Sequence, residues 1–150
     1  MIREATHEDL ERLLVLGYEM HQESRYKTMQ YNLEKVAEFF TIAIDKPEWL
    51  ALVVEIDGQV VGGFVGYAMP QWFSDDLFAG DNALFIEQRH RGGTAAARLI
   101  KKFSEWALSK GVKPGNISLG ITTGVHMNKT QSLYEKLGLE QTGVILNFKA

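Results

Sequence analysis

Leu84-Phe85-Ile86-Glu87-Gln88-Arg89-His90-Arg91-Gly92-Gly93-Thr94-Ala95-Ala96-Ala97-Arg98-Leu99-Ile100 runs from an apolar stretch through a basic, glycine-containing turn into a helical pattern. Ala96, Ile100, Phe103 and Ala107 form one stripe, widened by Leu99 and Trp106, while Arg98, Lys101, Lys102 and Glu105 fall elsewhere. A strand that enters a helix through a short turn aims the helix's unbonded N–H groups at one point, where its dipole favours an anion. Gly92 and Gly93 let the backbone curl around phosphate oxygens with no Cβ in the way. Thr94, Ala95 and Ala96 are small enough for a bulky ligand to press on the first turn, and Arg89, Arg91 and Arg98 add positive charge. Taken alone, Gly92-Gly93 reads as a flexible turn with solvated arginines. The order strand, basic loop, small residues and amphipathic helix points instead to a phosphate-bearing ligand. Neither Gly-x-x-x-x-Gly-Lys-Ser/Thr nor Gly-x-Gly-x-x-Gly occurs, so the common nucleotide loops do not supply it.

Upstream of this unit, Leu50–Ile56 and Gln59–Ala68 are rich in β-branched and aromatic residues. Asp57-Gly58 between them is the sequence of a tight hairpin. A further strand is expected over Asn82–Ile86 and a short one around Ile2-Arg3. Thr6-His7-Glu8-Asp9 offers a cap for a first helix carrying Leu10, Leu13, Leu14 and Gly17 on one face. A second helix is expected after Asn32, through Leu33, Val36, Ala37, Phe40 and Ile44, closed by Pro47. Downstream, Asn116–Ile121 reads as a strand, Asn128-Lys129-Thr130-Gln131 as a capping box, and Leu133, Tyr134 and Leu137 as the helix it opens. Gly138 is placed to end that helix, and Leu139–Phe148 to supply a last strand or strand pair. The expected fold is α/β (α+β): a mixed, mostly antiparallel central sheet of six to seven strands with helices on both faces, in one domain over 1–150.

With 150 residues, 45% of them hydrophobic, 23% charged, and a net charge of −3, the composition is that of an ordinary globular protein. This charge argues against broad nucleic-acid binding, and no apolar run reaches the roughly 18–20 residues of a membrane span. No cysteine is present, so disulfides and a thiol nucleophile are excluded. His7, His21, His90 and His126 lie far apart with no metal-ligand spacing, so no metal is expected. The residues from Met1 to Thr6 lack the apolar core of a signal peptide, and a cytoplasmic protein is expected.

The Leu84–Ile100 segment resembles the acetyl-CoA motif of the GNAT superfamily of N-acetyltransferases, Arg/Gln-x-x-Gly-x-Gly/Ala after a strand. Arg91 matches its first position and Ala96 its last, while Thr94 stands where the middle glycine is usual. Leu133-Tyr134-Glu135-Lys136-Leu137-Gly138-Leu139 resembles the family's Leu-Tyr-x-Lys-x-Gly-Phe stretch. The resemblance implies transfer of an acetyl group from acetyl-CoA to a primary amine by direct attack, with Tyr134 protonating the departing thiolate. It implies pyrophosphate contacts from Arg91, Gly92, Gly93, Thr94, Ala95 and Ala96, and pantetheine contacts along Leu84, Phe85 and Ile86. Asn128 reads as either a donor contact or a helix cap.

Relatives often carry a base on the strand before the loop, but Asn82 and Ala83 face that role here. Asp81, Glu87 and His126 lie nearby, and each reads as a solvated turn residue rather than a base. For a small-molecule or peptide amine acceptor, Tyr18, His21, Tyr26, Tyr31, Trp72 and Phe73 are the candidate lining, the last two serving equally as a contact for a second subunit. A homodimer is expected by analogy alone. The alternatives are a non-catalytic CoA-binding module of the same fold, an enzyme of the same kind that takes a longer acyl-CoA and, from Arg98, Lys101, Lys102, Lys110 and Lys113, a nucleic-acid binder.

Overall fold

The structure is a computed structural model describing residues 1–150. Four strands form one antiparallel sheet in chain order: β1 (Ile2–Glu4), β2 (Trp49–Ile56), β3 (Gln59–Pro70) and β4 (Leu77–Ile86). Four helices accompany them: α1 (Leu10–Glu23), α2 (Leu33–Asp45), α3 (Ala95–Ser109) and α4 (Met127–Lys136).

Strand alternation sets the two cores. Leu50, Leu52 and Val54 of β2 point to one face, where they meet Phe64, Leu99, Phe103 and Ala107, so α3 covers that side. Ala51 and Val53 point to the other, with Leu13 and Leu16 of α1 and Phe40 and Ala43 of α2. Phe64 and Phe103 are packed with ring centroids 4.7 Å apart. Gly66 lies beneath them, where an added Cβ would stand 2.6 Å from the Phe103 ring.

Local signals were carried through where they were self-contained. Asp57 and Gly58 turn the β2–β3 hairpin with φ of 51° and 76°. Asn32 caps α2, its Oδ1 accepting from the Lys35 N–H at 3.1 Å. Gly138 takes φ 96° after α4, and the Leu139 N–H reaches back to the Tyr134 carbonyl at 3.0 Å.

Three expectations are corrected. The sheet has four strands, not six to seven, and none of its pairings is parallel. The expected strand at Asn116–Ile121 forms a single β-bridge with the sheet, parallel, of Ile117 to Ala79, where the Ser118 N–H donates to the Ala79 carbonyl at 2.9 Å. Two residues on, the Gly120 N–H is taken by Asp81 Oδ1 at 2.9 Å instead of a β4 carbonyl, so the ladder stops and the segment leaves the sheet. The expected final strand at Leu139–Phe148 has no regular structure. Val144, Ile145, Leu146 and Phe148 there are all at least 70% exposed. Third, α4 begins at Met127, with left-handed His126 at its cap. Asn128 lies inside the first turn and Gln131 bonds Glu135 at 3.0 Å rather than reaching back to a cap.

Candidate active site

The loop from Glu87 to Thr94 brings β4 into α3. β4 is the sheet's last strand, so beyond Ala79 its outer backbone edge, including Leu84 to Ile86, has no strand partner. Phe85 and Ile86 are buried and Leu84 half-buried. After one turn at Gln88–His90, Gly92 adopts φ 91°, a conformation that side-chain-bearing residues rarely take. Thr94 precedes α3 without a side-chain cap bond. In consequence the N–H groups from Gly92 to Ala97 donate to no other group of the protein. Gly92, Gly93 and Thr94 are exposed, Ala95 and Ala96 half-buried, and nothing lies within 4 Å of an added Cβ at either glycine. The turn thus presents open, unbonded amides at the positive end of a 15-residue helix.

The basic residues of this loop are more engaged than their composition suggests. Arg91 donates Nε–H to the Ile86 carbonyl (2.7 Å) and both terminal nitrogens to the Glu23 carboxylate (2.9 Å each), with its guanidinium over the Phe85 ring. Arg89 bonds Glu87 at 3.2 Å, leaving Arg98 as the arginine of the turn without an ion pair. Glu87 also accepts from Arg12 at 2.6 Å and contacts His90 at 3.2 Å. Burial alone would raise its carboxyl, but the bonds from Arg12 and Arg89 outweigh this and hold it below the usual range. That engagement makes Glu87 a structural anchor of the loop. An open groove of about 690 Å³ runs between α1 and this loop, bordered by Tyr18, Glu23, Gln88 and Arg89 but by neither Tyr134 nor Asp81.

On the other side of the β4 edge, Tyr134 of α4 is 5% exposed. Burial, and secondarily the nearby Asp81 charge, raise its phenol above the ordinary tyrosine range. Asp81 is not a solvated turn residue. β4 starts at Leu77, five residues earlier than its apolar run suggests, so Asp81 lies within the strand, next to the register shift that skips Asn82. Burial pushes its carboxyl upward, partly offset by the N–H groups of Gly120 and of Asp81 itself. The sequence reading missed the place of Asp81 in β4, because the position of a carboxylate on a strand is legible only once the strand's start is known.

His126 is exposed at the α4 cap, and Asn128 is exposed on its first turn. Of the proposed acceptor lining, Tyr18, His21 and Tyr31 form one aromatic cluster with centroids 5.3–5.4 Å apart. The Nε2 of His21 is buried with no hydrogen-bond partner. Tyr26 stands apart from them, under Arg25. Hydrogen bonding from Thr122 and then Arg25 holds its phenol below the usual tyrosine range. Trp72 and Phe73 lie at the β3–β4 tip, 93% and 69% exposed, packed edge-to-face on each other. No group of His, Cys, Asp and Glu suited to a metal ion is present, and no helix is long and apolar enough to cross a membrane.

The model of the acetyltransferase (GNAT) family matches residues 9–139, which includes the whole β4–α3 unit and Tyr134. The chain belongs to the GNAT acetyltransferase family. Its activity class is that of an acyl-CoA-dependent acetyltransferase. Solved GNAT structures share its fold at low identity. AAC(6')-Iy, in complex with the bisubstrate analog CoA-S-monomethyl-acetylneamine, superposes with a TM-score of 0.81 at 14% identity, over 100% of this chain and 97% of that one. A ribosomal-protein-alanine N-acetyltransferase from Brucella melitensis biovar Abortus 2308 gives 0.71 at 17% over 99% of each chain. A predicted acetyltransferase from Clostridium acetobutylicum, solved with acetyl-CoA, gives 0.75 at 14%, over 99% of this chain and 95% of that one. No curated protein matches the sequence.

Proposed function

We propose that this GNAT protein transfers an acetyl group from acetyl-CoA to a primary amine of a small molecule or peptide, with Asp81 as general base and Tyr134 as general acid. The observation that carries the reading is the free β4 edge, with unbonded amides from Gly92 to Ala97 at one end and, further back, half-buried Asp81, whose charge helps to raise the Tyr134 phenol. Acetyl-CoA supplies the activated acyl group. In this reading Arg91, Gly92, Gly93, Thr94, Ala95 and Ala96 hold its pyrophosphate, and the backbone of Leu84, Phe85 and Ile86 receives the pantetheine arm. Asn128, exposed and free of any cap bond, is a further donor contact. The small-molecule amine is supported by the aminoglycoside-derived analog in the AAC(6')-Iy complex, and the peptide amine by the Brucella ribosomal-protein enzyme.

The two titrating groups act in sequence. An alkyl ammonium with a pKa of about 10.4 must first lose a proton to solvent, and the neutral amine that remains then attacks. Asp81, with its carboxyl raised by burial, is a stronger base than an exposed aspartate and attracts the cation. Once the amine nitrogen bonds the thioester carbon, its proton passes to Asp81. That step neutralises the charge that helps to keep the Tyr134 phenol protonated. Tyr134 is then a stronger acid at the moment the carbon–sulfur bond breaks and the thiolate needs a proton. Holding amine and thioester together contributes about 7–11 kcal/mol toward the barrier.

Thiol release from acetyl-CoA, screened against polyamines, amino acids, aminoglycosides and peptide N-termini, tests the reading and identifies the acceptor. Amine-dependent release is expected. CoA binding with no release for any amine class overturns it in favour of a non-catalytic CoA-binding module.

A further inference from the structure

The last turn of α1 reaches two parts of the molecule that the sequence holds far apart. Glu23 closes the bidentate pair with Arg91 of the cradle loop, 68 residues away. Two residues on, Arg25 donates its backbone N–H to the Thr123 carbonyl and its Nε–H to the Thr122 carbonyl, both at 2.8 Å. Between them Ser24 is buried, and its Oγ donates to the His21 carbonyl at 2.8 Å while accepting from the Tyr26 N–H at 3.1 Å. That double bond leaves the connecting residue little freedom. The far contact is close as well. Gly124 has φ 77°, and an added Cβ there would lie 3.5 Å from the Cβ of Arg25.

The two ends of this strap lie on opposite sides of the free β4 edge. Arg91 follows β4, and its Nε–H is bonded to the carbonyl of Ile86, the strand's last residue. Thr122 and Thr123 belong to the segment that leaves the sheet at Gly120 and runs into α4, the helix of Tyr134. No strand ladder joins these two sides beyond Ala79. A gap that opens between two backbones needs some tie to fix its width, and a ligand held by both walls binds best when that width is set beforehand. We infer that Glu23 and Arg25 are positioning residues. They tie the cradle loop to the Thr122–Gly124 segment and fix the width of the donor gap before acetyl-CoA enters. The inference rests on the acetyl-CoA reading of that gap and adds to it two residues that touch neither the acetyl group nor the amine.

Steady-state kinetics of Glu23→Ala, Arg25→Ala and the double variant test it, with Glu23→Gln as the conservative change. Both Glu23 and Arg25 lie at the surface, so all four variants are expected to fold, and melting of each apo protein checks this. Loss of a half-exposed ion pair is worth about a fivefold rise in KM for acetyl-CoA, with kcat within twofold. Arg25→Ala is expected to raise the same KM although it has no contact with the cradle. The double variant is expected to be no worse than the worse single, since a strap cut at either end no longer spans. Glu23→Gln keeps an oxygen acceptor for Arg91 and is expected between wild type and Glu23→Ala. Wild-type donor KM in Arg25→Ala, multiplicative single effects, or a lowered donor KM in Glu23→Gln overturns the strap, the last by making Glu23 a mask on Arg91. Wild-type protein that binds no acetyl-CoA overturns the underlying reading instead.

Discussion

Replacing Asp81 by Asn removes one half-buried charge while keeping an oxygen able to accept the Gly120 N–H, the 2.9 Å contact at which the chain leaves the sheet. The shape of the β4 edge is therefore retained, and two opposed effects follow. A positioned base is worth about 10²–10⁴ in rate, or about 2.7–5.4 kcal/mol of barrier, and kcat for amine acetylation is expected to fall by that factor. Stability moves the other way. Burial raises the Asp81 carboxyl above its unfolded value, so the folded protein keeps that proton over a pH window in which the unfolded chain has lost it. The group's contribution to stability is greatest below the unfolded value of about 3.9 and declines as pH rises through the folded one. Asp81→Asn abolishes that decline. Its Tm is expected to exceed that of wild type at pH 7–8, with the difference narrowing as the pH is lowered. Thiol-release kinetics and melting over pH 4–8 measure both. A variant with kcat within threefold of wild type and a lower Tm at pH 7–8 would refute the assignment of Asp81 as a partly desolvated base.

Tyr134→Phe keeps the buried ring and removes the proton. We expect kcat to fall by about 10²–10⁴ with acetyl-CoA KM within about threefold, and unchanged turnover over the full pH profile removes Tyr134 from the mechanism. Gly92→Ala meets no neighbour within 4 Å, so its only cost is the backbone at φ 91°. At about 1–3 kcal/mol this is expected to weaken acetyl-CoA binding about 5- to 150-fold by calorimetry. Gly66→Ala puts a Cβ 2.6 Å from the Phe103 ring and 2.9 Å from the Gly80 carbonyl, and is expected to destabilise the fold by about 1–3 kcal/mol in urea melts. Wild-type stability there would mean that β3 and α3 are not packed as described.

What could be read from the sequence was what neighbouring residues decide among themselves. The Asp57-Gly58 hairpin, the Asn32 cap, the α3 stripe through Ile100, Phe103 and Ala107, and the left-handed Gly138 each depend on contacts within a few residues. The cradle belongs with these, since a strand, a glycine turn and a helix are contiguous. Strands at Asn116–Ile121 and Leu139–Phe148 were not decidable in this way. A β-prone run becomes a strand only with a ladder partner, and the Asp81 side chain interrupts the one available to Gly120. For the same reason the role of Asp81 was hidden, because its surroundings are set by the Gly120 segment, 39 residues on. The pairing of Arg91 with Glu23 was not legible either, since that contact joins the loop to a helix 68 residues away.

The claim on which the rest depends is that the open amides from Gly92 to Ala97 hold acetyl-CoA. Thermal melting of the wild-type protein with increasing acetyl-CoA tests it most directly. A ligand specific for the folded state stabilises it by about 2.7 kcal/mol at 100 times its Kd, which for a chain of this size raises Tm by about 5–11 °C. A saturating rise of that order is expected. A Tm unmoved at millimolar acetyl-CoA would contradict the account.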